Sequence, residues 1–337
     1  MKYQNKLRLL IGAAGMLILI FDGRTALYGM NEGLKLCLYT LIPSLFPFIV
    51  LGSLIIETAL GIRISFLQPI VKLFRIPAGT ESLLMVGWLG GYPIGAQSVA
   101  DIYHSGHLNQ SDAEKLAIIC NNPGPAFLFG VLGPIIGRQG SLWLLWSVQI
   151  VSSLLISLII PADCIPIASI TKGKTTSFPE ILKKSAISMM YICACVVFFR
   201  MVLEFLERWI LWLIPETWGV ILSGILELSN GCLLLTNITD SEFRLILASG
   251  LLSFGGICVW MQTMAVCHDF KVSRYLLWKT LQGFLCASMT AFLVLPNQKA
   301  TFLLLPAAVI LFFLRLRKKK DIAFGKTIMY NNQSAIK

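Results

Sequence analysis

The sequence predicts an all-α polytopic membrane protein of about eight transmembrane helices plus two re-entrant helical hairpins arranged as an inverted repeat. Composition comes first: 56% of the 337 residues are hydrophobic and 13% are charged, about half the ~25% of a soluble domain. At a mean hydropathy of +0.76 a globule of this size has no means of covering itself with a water-facing surface, which excludes a soluble enzyme. The second observation is a series of apolar runs long enough to cross a ~30 Å hydrocarbon core, which takes ~20 helical residues. The third is a pair of apolar stretches whose middles hold too many Gly, Pro and polar residues to cross simply.

The runs are Leu7–Leu27, Gly33–Ile56, Ala113–Ile136, Ser141–Ile160, Ser185–Leu213, Arg244–Val266, Tyr275–Leu295 and Thr301–Leu316. At the start, Lys2, Lys6 and Arg8 precede apolar residues that end in Phe21-Asp22-Gly23-Arg24 without a small-residue cleavage site, so an uncleaved first helix is expected. The interrupted stretches, Pro77–Tyr103 and Pro215–Thr239, are read as re-entrant hairpins, because unpaired backbone survives at membrane depth only beside protein or a wet cavity. With the N-terminus inside, Arg63, Lys72 and Arg75 fall inside, as do Lys172, Lys174, Lys183 and Lys184, then Lys271 and Arg274, and finally the basic tail 317–337 with Arg315 before it. Only isolated charges such as Arg24 and Arg138 fall outside. Both termini are thus expected on the cytoplasmic side of a cell membrane. The first hairpin then enters from the inside and the second from the outside, each followed by an interrupted helix. Residues 33–161 and 185–296 become two inverted halves, the construction of carriers that bind solute at the midplane.

The candidate binding residues lie at the interruptions. The first hairpin reads Gly87-Trp88-Leu89-Gly90-Gly91-Tyr92-Pro93-Ile94-Gly95-Ala96-Gln97. Gly and Pro break the helix there, and the freed N–H groups of Gly90, Gly91 and Gly95 can hold an anion beside Tyr92, Pro93 and Gln97. For the glycines alone, close packing is the simpler explanation. The third span meets Asn121-Asn122-Pro123-Gly124-Pro125, in which each proline leaves an upstream carbonyl unpaired and the two amides offer donors and acceptors. A proline kink accounts for Pro123 but not for the paired amides. At the second hairpin's tip, Glu227 with Asn230 and Gly231 places a carboxylate where its insertion costs ~2.5–3.5 kcal/mol, a mark of function. The sixth span carries Gly255, Gly256 and Gln262.

Other features have plainer readings. The net charge of +11 follows the positive-inside pattern, with attraction to anionic lipid, and no basic patch interleaved with aromatics points to nucleic acid. None of the nine cysteines forms C-x-x-C, so they are read as small buried hydrophobes. Ser111 and Glu114 are spaced as a capping box. Arg200 and Glu204 are spaced to pair on one helix face, next to Glu207 and Arg208. Glu57 and Glu81 are expected to be solvated near the interfaces. His104-x-x-His107 with Asp101 lacks the H-E-x-x-H spacing and sits in a polar loop, so a solvated turn and no metal are expected. With no P-loop and no G-x-S-x-G elbow, neither an enzyme nor a cofactor is expected.

Gly90-Gly91-Tyr92-Pro93-Ile94-Gly95-Ala96, Cys120 to Pro125 with Phe127 and Gly130, Glu227 with Asn230-Gly231, and Gly255-Gly256 with Val259 and Gln262 occur in the order found in the YlbJ-type sporulation integral membrane proteins of endospore formers. The sequence resembles that family, part of the wider nucleoside-recognition (Gate) group, from about residue 33 to 296, and Leu41 to Phe48 is similar to its early segment. Pro123 and Trp260 depart from its pattern. The resemblance implies a transporter of a small anion, dipicolinate, into the space around the forespore, with the forespore outer membrane as location. The alternatives are a nucleoside or other small-metabolite carrier and a non-transporting sporulation membrane protein. A homo-oligomer is left open.

Overall fold

A computed structural model describes residues 2–59, 62–167, 176–270, 272 and 274–295. The expected eighth span, the basic tail and residues Lys172, Lys174 and Lys271 lie outside the described residues. Every element among those described is helical. Among the described residues, five helices are long and apolar enough to cross a membrane: Gly23–Ile55, Gln139–Ser157, Phe178–Trp209, Ser241–Val266 and Tyr275–Val294.

The expected first span is corrected. Helix α1 (Lys2–Phe21) stops before Asp22, whose carboxylate accepts from the Thr25 N–H (3.4 Å) and hydroxyl (2.8 Å) and so caps α2 (Gly23–Leu36). A π turn, Cys37–Leu41, carries α2 into α3 (Ile42–Ala59), so the second apolar run starts at Gly23 rather than Gly33. Pro43 follows this turn with no N–H to give back, and the Ser44 hydroxyl donates to the Thr40 carbonyl (2.6 Å). Gly29 and Gly33 let α2 lie closely against α10 (Phe178–Trp209), where a Cβ would meet Met201 and Val197.

After the short α4 (Gln68–Leu73), α5 (Glu81–Gly90) and α6 (Ile94–His104) pack against each other across a three-residue turn. Each is about 15 Å long, half the hydrocarbon thickness. Helix α7 (Gln110–Ile119) stops at Cys120, and the chain resumes as α8 (Pro125–Ile136) through a second π turn, Leu128–Leu132, which lies against the first and against the start of α3, where a Cβ on Gly130 would be 2.6 Å from the Ser44 Cβ. Helix α9 (Gln139–Ser157) leads to α10. Then come the paired short helices α11 (Glu216–Leu226) and α12 (Leu228–Leu234), followed by α13 (Ser241–Phe254), α14 (Gly256–Val266) and α15 (Tyr275–Val294).

The capping box expected at Ser111 is not formed. Asn109 caps α7, accepting from the Asp112 N–H at 2.7 Å, while Ser111 donates to Asp163 (2.6 Å) and Glu114 accepts from the Arg274 N–H (3.3 Å). Asp112 in turn accepts from the N–H groups of Cys164 (2.7 Å) and Ile165 (3.0 Å). The Lys115 ammonium donates to the Arg75 carbonyl, and Asp101 and Lys184 line one crevice. These ties gather Arg75, Lys115, Lys184 and Arg274 at one end of the bundle. Arg63 and Lys72 share a hollow with Arg75 at that end. At the other end the Arg208 guanidinium donates to the Thr25 hydroxyl (2.9 Å), and Arg200 pairs with Glu204 (2.7 Å), as its spacing predicts, and with Glu207 (2.9 Å). Glu81, expected in solvent, is 1% exposed.

Candidate functional site

The Asn121–Pro125 break shows how the chain repairs what its prolines remove. A helical Pro123 would leave the Ile119 carbonyl without a donor, and a helical Pro125 would do the same to Asn121. The Asn122 side-chain amide donates to the first, at 2.7 Å, and the Lys279 ammonium donates to the second, at 2.9 Å. Lys279 also donates to Asn122 Oδ1 (3.0 Å) and Gln282 Oε1 (2.9 Å), so its three N–H donors meet three uncharged oxygens. It is 1% exposed and has no carboxylate among these partners. Asn121 donates from Nδ2 to the Thr263 hydroxyl (2.8 Å) and the Tyr275 hydroxyl (2.7 Å), while its buried Oδ1 has no partner. Asn121 therefore reaches both α14 and α15, and Asn122 reaches α15 through its Oδ1.

The first hairpin's turn sits on this break. Gly91 has φ +73°, a conformation natural only to glycine, and a Cβ there would be 2.5 Å from the Gly124 nitrogen. Gly87 and Gly95 lie against the Cys120 carbonyl, which leaves no space for a side chain. For these glycines, and for Gly90 against Ile94, the structure shows close packing. Pro93 follows Tyr92 through a cis peptide bond.

The second hairpin has the same relation to its own broken helix. Gly255 ends α13 at φ +81°, and Gly256 follows at φ +82° with its α-carbon so near the α11–α12 turn that a Cβ would be 3.1 Å from the Gly224 carbonyl oxygen. Glu227 lies between α11 and α12 and caps the latter: its carboxylate accepts from the N–H groups of Ser229 (3.0 Å) and Asn230 (2.7 Å) and from the Asn230 amide (2.7 Å). Gly231 abuts the Gly224 backbone.

Between the two turns lies a cavity of about 20 Å³, room for about one water. Tyr92, Glu227 and Gln262 line it, with Leu41 of the first π turn, Phe127 of α8, and Ile192 and Val196 of α10. The Tyr92 and Phe127 rings stand 6.0 Å apart, and the buried Tyr92 hydroxyl has no hydrogen-bond partner. Gln97 lies apart, in the crevice with Asp101 and Lys184, where it accepts from the Ser188 hydroxyl at 3.2 Å. Of the binding residues expected from the sequence, the structure brings Tyr92, Glu227 and Gln262 to the cavity, places Gln97 in a separate crevice, and uses the glycines and asparagines in packing and hydrogen bonds around the turns.

Sequence reasoning missed the polar face of α15. Lys279, Gln282, Cys286 and Thr290 are all buried and face α7, α9 and α13: Gln282 donates to Asn122 Oδ1 (2.8 Å) and Ser152 (3.3 Å), and Thr290 donates to Ser249 (2.7 Å). Ser253 joins the row, donating to Gln149 Oε1 at 2.6 Å. Spacings of three, four and four residues were the available signal for a single face.

Set against known proteins, the chain matches no family model and no solved structure. It is 30% identical over 120 residues to the sporulation integral membrane protein YlbJ of Bacillus subtilis (strain 168), a stretch that takes in 34% of this chain and 29% of the relative. The match thus spans under a third of that relative's length. Together with the five apolar helices, it makes this chain a membrane protein related to a sporulation integral membrane protein.

Proposed function

We propose that the chain is a secondary carrier, not an enzyme, that moves a small anionic solute, dipicolinate during endospore formation, by alternating access. The hairpins are re-entrant from opposite faces and belong to two inverted halves, with the solute held at the turns. One observation carries this reading: two short-helix hairpins, each seated on a broken helix, converge on a shared cavity that holds an unpartnered tyrosine hydroxyl. A buried hydroxyl without a partner costs about 1–3 kcal/mol, a cost that a solute acceptor would remove.

The choice of an anion is the one implied by the resemblance to the YlbJ-type proteins. The Glu227 carboxylate is engaged by N–H groups at the start of α12, whereas the Lys279 ammonium has only neutral acceptors. Each group thus meets only uncharged partners, Glu227 at the cavity and Lys279 behind it. A cavity of about 20 Å³ is too small for any such solute, so loading requires the hairpin turns to separate. The test is uptake of labelled dipicolinate, and separately of labelled nucleosides, into proteoliposomes holding the full chain. Dipicolinate uptake is expected, weakened about tenfold in Tyr92→Phe, the equivalent of one ~1.4 kcal/mol hydrogen bond. Nucleoside uptake without dipicolinate uptake would replace the substrate, and uptake of neither would remove the carrier.

A further inference from the structure

The protein has three histidines, and the fold brings two of them to one carboxylate. His104 ends α6 and His268 follows α14, yet both direct Nε2 at the same oxygen, Asp269 Oδ2, at 2.7 Å and 3.2 Å. The two rings are 5.7 Å apart, and one ligand atom from each of the three residues lies within 4.8 Å of the others. The segments that carry them are anchored: Phe270 is buried and its ring packs at a tilt against Tyr103, centroids 4.9 Å apart. The third histidine is held apart, His107 Nδ1 meeting the Ser105 hydroxyl at 2.9 Å.

We propose that His104, His268 and Asp269 bind one divalent transition-metal ion of the zinc class at the basic end of the bundle. Two imidazole nitrogens and one carboxylate oxygen, with water completing a tetrahedron, are a donor set that zinc accepts at about 2.0–2.2 Å. A lone Asp269 that accepts from two imidazoles needs only small side-chain rotations to admit an ion between the three. The pairing differs from the one the sequence suggests, since His107 and Asp101 take no part and the ligands come from two distant segments. A bound ion would tie the end of α6 to the end of α14.

The test is a titration of the purified full chain in detergent with Zn²⁺ against a chromophoric zinc indicator. Nine free thiols set a background that all variants share. Wild type is expected to hold one more zinc per chain than His268→Ala or Asp269→Ala, and Zn²⁺ is expected to raise its melting temperature but not theirs. His107→Ala should behave as wild type. All three ligands are exposed, so the variants should melt at the wild-type temperature without metal. Equal zinc stoichiometry and equal thermal response in wild type, His268→Ala and Asp269→Ala would overturn the site, whatever the outcome of the transport assay.

Discussion

The Asn121 carbonyl lacks a helical donor because the chain leaves the helix at Cys120 and re-enters one only at Pro125, and the Lys279 ammonium donates to it at 2.9 Å. Removing the ammonium by Lys279→Met should orphan the oxygen and lower stability by about 1–3 kcal/mol. Gln282→Leu should remove another acceptor of the same ammonium. The two substitutions should then be coupled: in the Lys279→Met background the second is expected to cost about 1 kcal/mol less than in the wild type. A double-mutant cycle from denaturant unfolding measures this, and additivity within about 0.5 kcal/mol would mean that the two side chains do not interact. At this scale the sequence reveals half of the arrangement. The prolines announce where the helix breaks, but the identity of the donor that meets the freed carbonyl depends on a helix more than a hundred residues further on.

Among the elements, the breaks are the most legible part. Gly, Pro and Glu punctuate apolar runs at Gly91–Pro93, Asn121–Pro125, Glu227 and Gly255, and each position interrupts a helix in the structure. Asp22 is harder to read because apolar residues precede it and resume soon after Arg24, and only its bonds to Thr25 show that it opens a new helix. The polar face of α15 escaped notice since a few polar residues spread over twenty positions leave the helix apolar on average. The hairpins make a prediction of their own. Gly231→Ala places a methyl group against the Gly224 backbone and should destabilise the protein by about 1–3 kcal/mol. Gly219→Ala, on the same hairpin, meets nothing within 4 Å and should be neutral or stabilise by up to about 1 kcal/mol. Thermal melting of the two variants side by side checks this, and equal losses would mean that α11 and α12 do not pack as described.

Over the whole molecule, Arg63, Lys72, Arg75, Lys184 and Arg274, the described members of the basic clusters expected on one side of the membrane, lie at one end of the bundle, joined by contacts such as Lys115 to Arg75 and Ser111 to Asp163. If that end is cytoplasmic, as the proposed topology holds, a membrane-impermeant maleimide applied to intact cells should leave Cys164 unlabelled until the membrane is permeabilised. A Glu216→Cys substitution, at the opposite end, should be labelled at once. Reversed labelling would invert the assigned orientation. The ten- and eleven-residue lengths of α5, α6 and α11 also have an electrical consequence. In the proposed cycle a solute charge resting where these helices turn has traversed about half of the transmembrane voltage, or roughly 1 kcal/mol per 100 mV. Capture from one compartment and discharge into the other would then each feel the potential by about the same amount, so polarising the bilayer would tilt both legs of the journey rather than one.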